Sequence, residues 1–242
     1  MIKAALNGGR TRAEHPGIPI TPEEVAASAA ESGAAGAGAI HFHVRSANGN
    51  ESLDPADVAK SLAAVRAAIP NTPIGISTGA WILRNAQLRH EAIARWTVLP
   101  DFASVNFKEE GAVPLAELLL SRGVPVEAGL SDAPGTHTFV SSGLAPRCLR
   151  LLIEPFESST SAALKTLEQI ETLLNAAGVK LPRILHGLNQ TAWNLIDEAA
   201  TRGYDTRVGF EDILTLPDGT PAASNSALVA EAARRMRHPS SG

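Results

Sequence analysis

"AIHFHVRSANGNESLD", residues 39–54, decides the reading of this chain. It opens as a short apolar run with a histidine at every second position. In an extended strand Ile40, Phe42 and Val44 share one face, and His41 and His43 share the other. It closes on Asp54 followed by Pro55, the signature of a helix start. A strand that feeds a helix is half of a repeating unit, and the unit recurs along the chain. Apolar runs fall at residues 2–6, 39–44, 73–77, 101–107, 124–130, 148–154, 183–188 and 206–210. Between them lie segments with apolar residues at three- and four-residue steps, which predict helices. Thr21, Pro22 and Glu24 form a capping-box start, and Gly123, Gly178 and Gly203 stand where helices should end. Residues 131–146 have the poorest periodicity and read as a loop or a short helix.

Strict strand–helix alternation calls for a parallel sheet covered by helices. Eight such units in 242 residues predict one α/β domain spanning 1–242, a (β/α)8 TIM barrel. The competitor is an open doubly wound sheet. It would want a glycine-rich first turn, and "ALNGGRTR" is not G-x-G-x-x-G. Only "HPSSG" at the end, with His238, reads as frayed.

Composition removes several function classes. The formal charge is −4 with scattered basic residues, and aromatic residues make up 4%. Nucleic-acid surfaces want clustered Lys and Arg and stacking aromatics. No apolar run approaches the roughly 18 residues of a membrane span. With no signal-peptide pattern, a cytoplasmic location is the default expectation. One cysteine, Cys148, excludes an internal disulfide framework.

In a barrel, His41 and His43 point to the axis near the C-terminal end of their strand, where barrel active sites sit. Two imidazoles there need partners. Either they share a metal ion or they are a hydrogen-bonded structural pair. A third ligand would favour the metal. "TRVGFEDIL" offers Glu211, which shares strand parity with Arg207 and Gly209, and Asp212 follows it. Ser77, Thr78 and Gly79 close the third strand, and Ser104 and Asn106 close the fourth. Glu127 lies inside an apolar fifth strand, a poor place for a carboxylate unless it is paired or used. His186 reads as a ligand or a wall histidine. His15 lies in a loop over the mouth, and His90 and His137 read as solvated.

The stretches "ALNGGRTRAEHPGIPITPEEVA", "AGAGAIHFHVRSANGNESLD", "ISTGA", "SVNF", "TRVGFEDIL" and "AASNSALVAEAARRMR" resemble the β-keto acid cleavage enzymes. The likeness covers nearly the whole chain. It implies a zinc-dependent (β/α)8 barrel that condenses a β-keto acid with acetyl-CoA, giving acetoacetate and the CoA ester of the shortened acid. It places the metal ligands on His41, His43 and Glu211, and a catalytic arginine and aspartate on Arg207 and Asp212. It places substrate contacts on Ser77 and Ser104 and a strand-five glutamate on Glu127, with one residue of ambiguity. Asp212 is then the expected base, tuned by Arg207 and relayed by Glu127. Relatives that bind an ammonium carry a glutamate just after strand one. Arg10 stands near that place here and is expected to favour an anionic or neutral substrate end. The resemblance also implies a homo-oligomer, a dimer or tetramer. Other readings remain: a metal-dependent barrel aldolase or isomerase without CoA, a metal-dependent amidohydrolase, and a barrel that binds a metal or an acyl-CoA without turnover.

Overall fold

In the computed structural model, which describes residues 1–237, the helix-start signals work as read. The Thr21 hydroxyl accepts from the Glu24 backbone N–H, and the Glu24 carboxylate accepts from the Thr21 N–H at 3.0 Å. Asp54 accepts from Ala56 N–H at 2.8 Å. Gly123, Gly178 and Gly203 follow helices with φ near +70°, a region other residues enter at a cost. The tail expected to fray, His238 onward, lies outside the described residues.

The elements alternate throughout. They are β1 (Ile2–Ala5), α1 (Pro22–Ala34), β2 (Ala39–Phe42), α2 (Pro55–Ala68), β3 (Ile74–Ser77) and α3 (Ala86–Ala94). Then come β4 (Phe102–Asn106), α4 (Ala112–Ser121), β5 (Val126–Leu130), α5 (Ala133–Ser141), β6 (Arg150–Ile153) and α6 (Thr160–Ala176). The chain closes with β7 (Arg183–Leu185), α7 (Ala192–Arg202), β8 (Asp205–Val208) and α8 (Asn225–Arg237). Strands β1 to β8 pair in order, all parallel, and β8 closes on β1 as a barrel. The weakly patterned segment 131–146 holds α5. Asp132 caps it by accepting from Gly135 N–H, and Pro134 sits in its first turn. Its apolar face is too short for periodicity to register. No described helix is long and apolar enough to cross a membrane.

Strand parity sorts the side chains. Ile40, Phe42, Ile74, Ile76, Val126 and Ala128 face outward and are buried with Val58, Leu62, Leu115 and Leu119 of the helices. Each fully buried aliphatic side chain of this kind contributes about 1.5–3 kcal/mol. The axis-facing set is polar. Near its floor Lys3, from β1, donates across the barrel to Glu127 of β5, and Arg150 of β6 donates to the other Glu127 oxygen. All three lie near the Phe102 ring or each other, with Lys3 and Arg150 over its face at 5.9 and 4.6 Å. Burial pushes the Glu127 carboxyl up, but Lys3 and Arg150 outweigh it and hold the group at about 2. Burial, with Arg207 and Arg150 nearby, lowers Lys3 to about 8. Just past β8, Gly209 lies against β1: a Cβ there would lie 2.0 Å from the Ala5 carbonyl oxygen.

Candidate active site at the C-terminal mouth

The His–x–His parity does what the strand pattern predicts. His41 sits in β2 and His43 just beyond it, both buried and both lining a cavity of about 240 Å³ at the mouth. Asn7, past β1, fixes the backbone there. Its Oδ1 accepts from His43 N–H at 2.8 Å, and its Nδ2 donates to the His43 carbonyl at 3.0 Å. After Val44 the chain folds back through Asn48-Gly49, so that Glu51 bridges antiparallel to Arg45. This return puts the Glu51 carboxylate on His43 Nδ1 and leaves Nε2 to face the cavity. Trp81 Nε1 donates to the same Glu51 oxygen at 3.0 Å.

Glu211, in the loop after β8, completes the cluster. One donor atom from each of His41, His43 and Glu211 lies within 4.8 Å of the others. His43 Nε2 is 3.3 Å from Glu211 Oε1, and His41 Nε2 is 3.6 Å from Oε2. Glu211 Oε2 and His41 Nδ1 are buried with no hydrogen-bond partner. Orphaned buried polar atoms are costly, and two imidazoles with one carboxylate are a fitting donor set for a divalent metal. Burial, with Lys3 and Arg207 close by, drives His41 well below 6.5, so it is neutral and ligand-competent. Burial opposes charge on His43 too, but Glu211 and Glu51 hold it at about 9.

Arg207 organises the β8 side. Its Nη2 donates to Glu211 Oε1 at 2.7 Å and to Asp212 Oδ1 at 2.6 Å, and its Nε lies 3.2 Å from both Asp212 oxygens. Burial disfavours the charge, but Asp212 and Glu211 hold the guanidinium above its ordinary range. Behind it His186 lies between two carboxylates, with Nδ1 3.6 Å from Asp212 and Nε2 3.3 Å from Glu154. Burial and Arg207 depress this imidazole to about 3, so it is neutral.

Of the residues expected at the site, His41, His43, Ser77, Ser104, Asn106, Arg207 and Glu211 line the cavity. Five do not. Asp212, expected as the base, is fully buried beneath Arg207 and gives both oxygens to it. Glu127, expected to relay protons, is neutralised on the barrel floor by Lys3 and Arg150. The Thr78 hydroxyl is committed to the Ser104 carbonyl at 2.6 Å. Gly79 lies beneath the Trp81 indole, which a Cβ would strike at 2.3 Å. Arg10 does not enter the cavity. It donates to the Glu211 carbonyl at 3.1 Å, to Asn189 at 2.7 Å and to Glu14 at 3.2 Å, tying the loop after β1 to the loops after β7 and β8. His15 packs on Phe210, ring centroids 4.4 Å apart. His186 is outside the ligand cluster.

Three features escaped the sequence reading. Glu51 was signalled only by the Asn-Gly turn that returns it to His43. Glu154, at the end of β6, lines the cavity, and its cue was an axis parity shared with Arg150 and Leu152. Trp81 and Phe156 flank the cavity as half-exposed aromatics, 50% and 49% exposed, in a chain with few of them.

A closed parallel barrel with two imidazoles and a carboxylate converging at its C-terminal mouth is a TIM barrel with a possible metal site where barrel active sites sit. The chain belongs to the beta-keto acid cleavage enzyme family, whose sequence pattern matches residues 1–240. It is 23% identical to a 3-keto-5-aminohexanoate cleavage enzyme of Acetoanaerobium sticklandii, over 97% of this chain and 90% of that one. A protein of the same name from Fusobacterium nucleatum is 25% identical with the same coverage. Among solved structures, the 3-dehydroquinate dehydratase of Geobacillus kaustophilus HTA426 is 12% identical, with a TM-score of 0.60 over 99% of this chain and 92% of that one. The thiamine phosphate pyrophosphorylase of Pyrococcus furiosus is also 12% identical, at 0.57 over 99% and 96%. At such identities they share the barrel alone.

Proposed function

We propose that this protein condenses a β-keto acid with acetyl-CoA and releases acetoacetate and the CoA ester of the shortened acid. A divalent metal, zinc in this reading, would be held by His41, His43 and Glu211. The observation that carries the proposal is that cluster, with its unpartnered Glu211 oxygen, in a chain of this family. When bound, the metal supplies Lewis acidity toward the keto and carboxylate oxygens of the substrate. Glu51 fixes the His43 tautomer, as carboxylates behind ligand histidines do. Arg207, held by Asp212, positions Glu211 and adds positive potential on one side of the cavity. The Ser77 and Ser104 hydroxyls and the Asn106 amide line the cavity on the β3–β4 side and orient the substrate carboxylate. Trp81 and Phe156 narrow the entrance and limit water around the reacting carbons.

The test has two arms. Elemental analysis of wild type and His41→Ala should show about one bound metal per chain in the first and loss of it in the second, because two ligands hold zinc poorly. A panel of β-keto acids incubated with acetyl-CoA should yield acetoacetate together with a new acyl-CoA by mass spectrometry. Full metal occupancy in His41→Ala would overturn the ligand set. Acetoacetate absent across the panel would overturn the reaction.

A further inference from the structure

We infer that Arg45 is a positioning residue of the metal centre. It clamps the turn Asn7–Arg10, on which Glu211, Glu51 and the His43 backbone are all seated. The inference rests on the ligand set proposed above.

The turn follows β1 and is closed by the Arg10 N–H, which donates to the Asn7 carbonyl at 3.2 Å. Three of its residues each hold one part of the site. The Asn7 side chain grips the His43 N–H and carbonyl. Gly8, at φ +55°, has the Glu211 side chain where its own would be: a Cβ there would strike Glu211 Cγ at 2.4 Å. Gly9 seats Glu51 more loosely, since a Cβ there would lie 3.3 Å from Glu51 Oε2. Two carboxylates thus rest on adjacent glycines, one a ligand and the other behind His43. Any shift of the turn moves both.

Arg45 fixes that turn. It lies two residues beyond His43 and is buried. Its Nη2 donates to the Gly8 carbonyl and, at 3.0 Å, to the Arg10 carbonyl, so one nitrogen spans the turn. Its Nη1 donates at 3.3 Å to the Gly49 carbonyl, on the returning hairpin that carries Glu51. Its own backbone bridges to Glu51. Among the described residues it makes no salt bridge, and every hydrogen bond of its side chain goes to a main-chain carbonyl. A buried cation without a carboxylate partner is costly. What it provides here is a fork that holds two loops at once, which the single ammonium of lysine cannot do.

Charge and position act in opposite directions. A guanidinium close to a bound dication repels it, so as a bare charge Arg45 weakens metal binding. As a clamp it strengthens metal binding, because Glu211 and Glu51 are already in place when the ion arrives. The sign of the change on removing Arg45 separates the two.

The experiment measures zinc affinity by competition with a chelator, together with the melting temperature of the metal-free protein. Arg45→Lys keeps the charge and loses the fork, and Arg45→Met loses both. Each should bind zinc about 10–100-fold more weakly than wild type, the range for groups that orient metal ligands. A merely structural role would lower the melting temperature and leave the zinc affinity of the folded variants unchanged, and that result overturns the inference. Tighter binding by Arg45→Met, the signature of charge alone, overturns it too. Combined with Glu51→Gln, Arg45→Lys should cost less than the product of the two single losses, because both act on one carboxylate; losses that multiply in full overturn the coupling. Should neither Arg45 variant fold, Gly9→Ala presses on Glu51 with Arg45 in place and should weaken zinc binding severalfold; wild-type affinity there overturns the inference. A wild type that binds no zinc overturns the ligand set itself, and the role of Arg45 with it.

Discussion

Replacing Glu127 by Gln tests whether this carboxylate is a structural counter-charge or a proton relay. It is fully buried between Lys3 and Arg150, so the variant strands two buried cations. Removing one member of a buried pair typically costs about 3–5 kcal/mol. The depressed Glu127 carboxyl agrees in scale. A carboxyl held at about 2 rather than 4.5 stabilises the fold by roughly 3 kcal/mol, at about 1.4 kcal/mol per pH unit. Its folded-state pKa is depressed, so that stability is present above pH 4.5 and is lost as pH falls from 4.5 toward 2. Against a total of about 5–15 kcal/mol the loss is large. Urea denaturation at pH 7 should therefore give Glu127→Gln a midpoint far below wild type, and its stability should fall less steeply with acid across that window. Adding Lys3→Met removes one stranded cation and should recover at least about 1 kcal/mol, the coupling expected of contacting groups. A Glu127→Gln variant of unchanged stability but greatly reduced turnover would refute the counter-charge role and restore the relay.

Glu51→Gln should weaken metal affinity by about 10–100-fold while leaving the fold intact, measured by competition with a chelator. Arg10→Ala should leave the preference among anionic, neutral and cationic keto acids unchanged, because Arg10 spends its donors on loop atoms, while lowering the melting temperature by a few degrees. Gly209→Ala should destabilise the barrel by several kcal/mol, since its Cβ meets β1 backbone rather than a movable side chain; an unchanged urea midpoint would show that β8 can move away from β1.

The barrel was legible because each strand is a short apolar run with its own parity and each helix carries a cap or a terminal glycine. The candidate ligand cluster was legible for the same reason: His41 and His43 share a face of their strand, and Glu211 keeps the parity of Arg207 just past β8. The rest depended on geometry that strand order alone does not state. Lys3, Glu127 and Arg150 are isolated charges in three strands, and only barrel stagger and diameter bring β1 and β6 onto β5 at one height. Arg10 was misplaced because its direction is set by the carbonyl of Glu211, some 200 residues on. Glu154 escaped because it stands where a strand ends, and nothing local tells an axis-facing terminal residue from the first residue of a loop.

Trp81 stacks on His43, ring centroids 5.9 Å apart, and shares the Glu51 carboxylate with it. The two other indoles are buried and donate to main-chain carbonyls, Trp96 to Leu53 and Trp193 to Thr215. The protein thus carries its own optical probe. Of its three indoles only Trp81 touches a candidate ligand, so tryptophan emission that changes as metal or keto acid is titrated in reports the state of the His43 imidazole, with no label to attach.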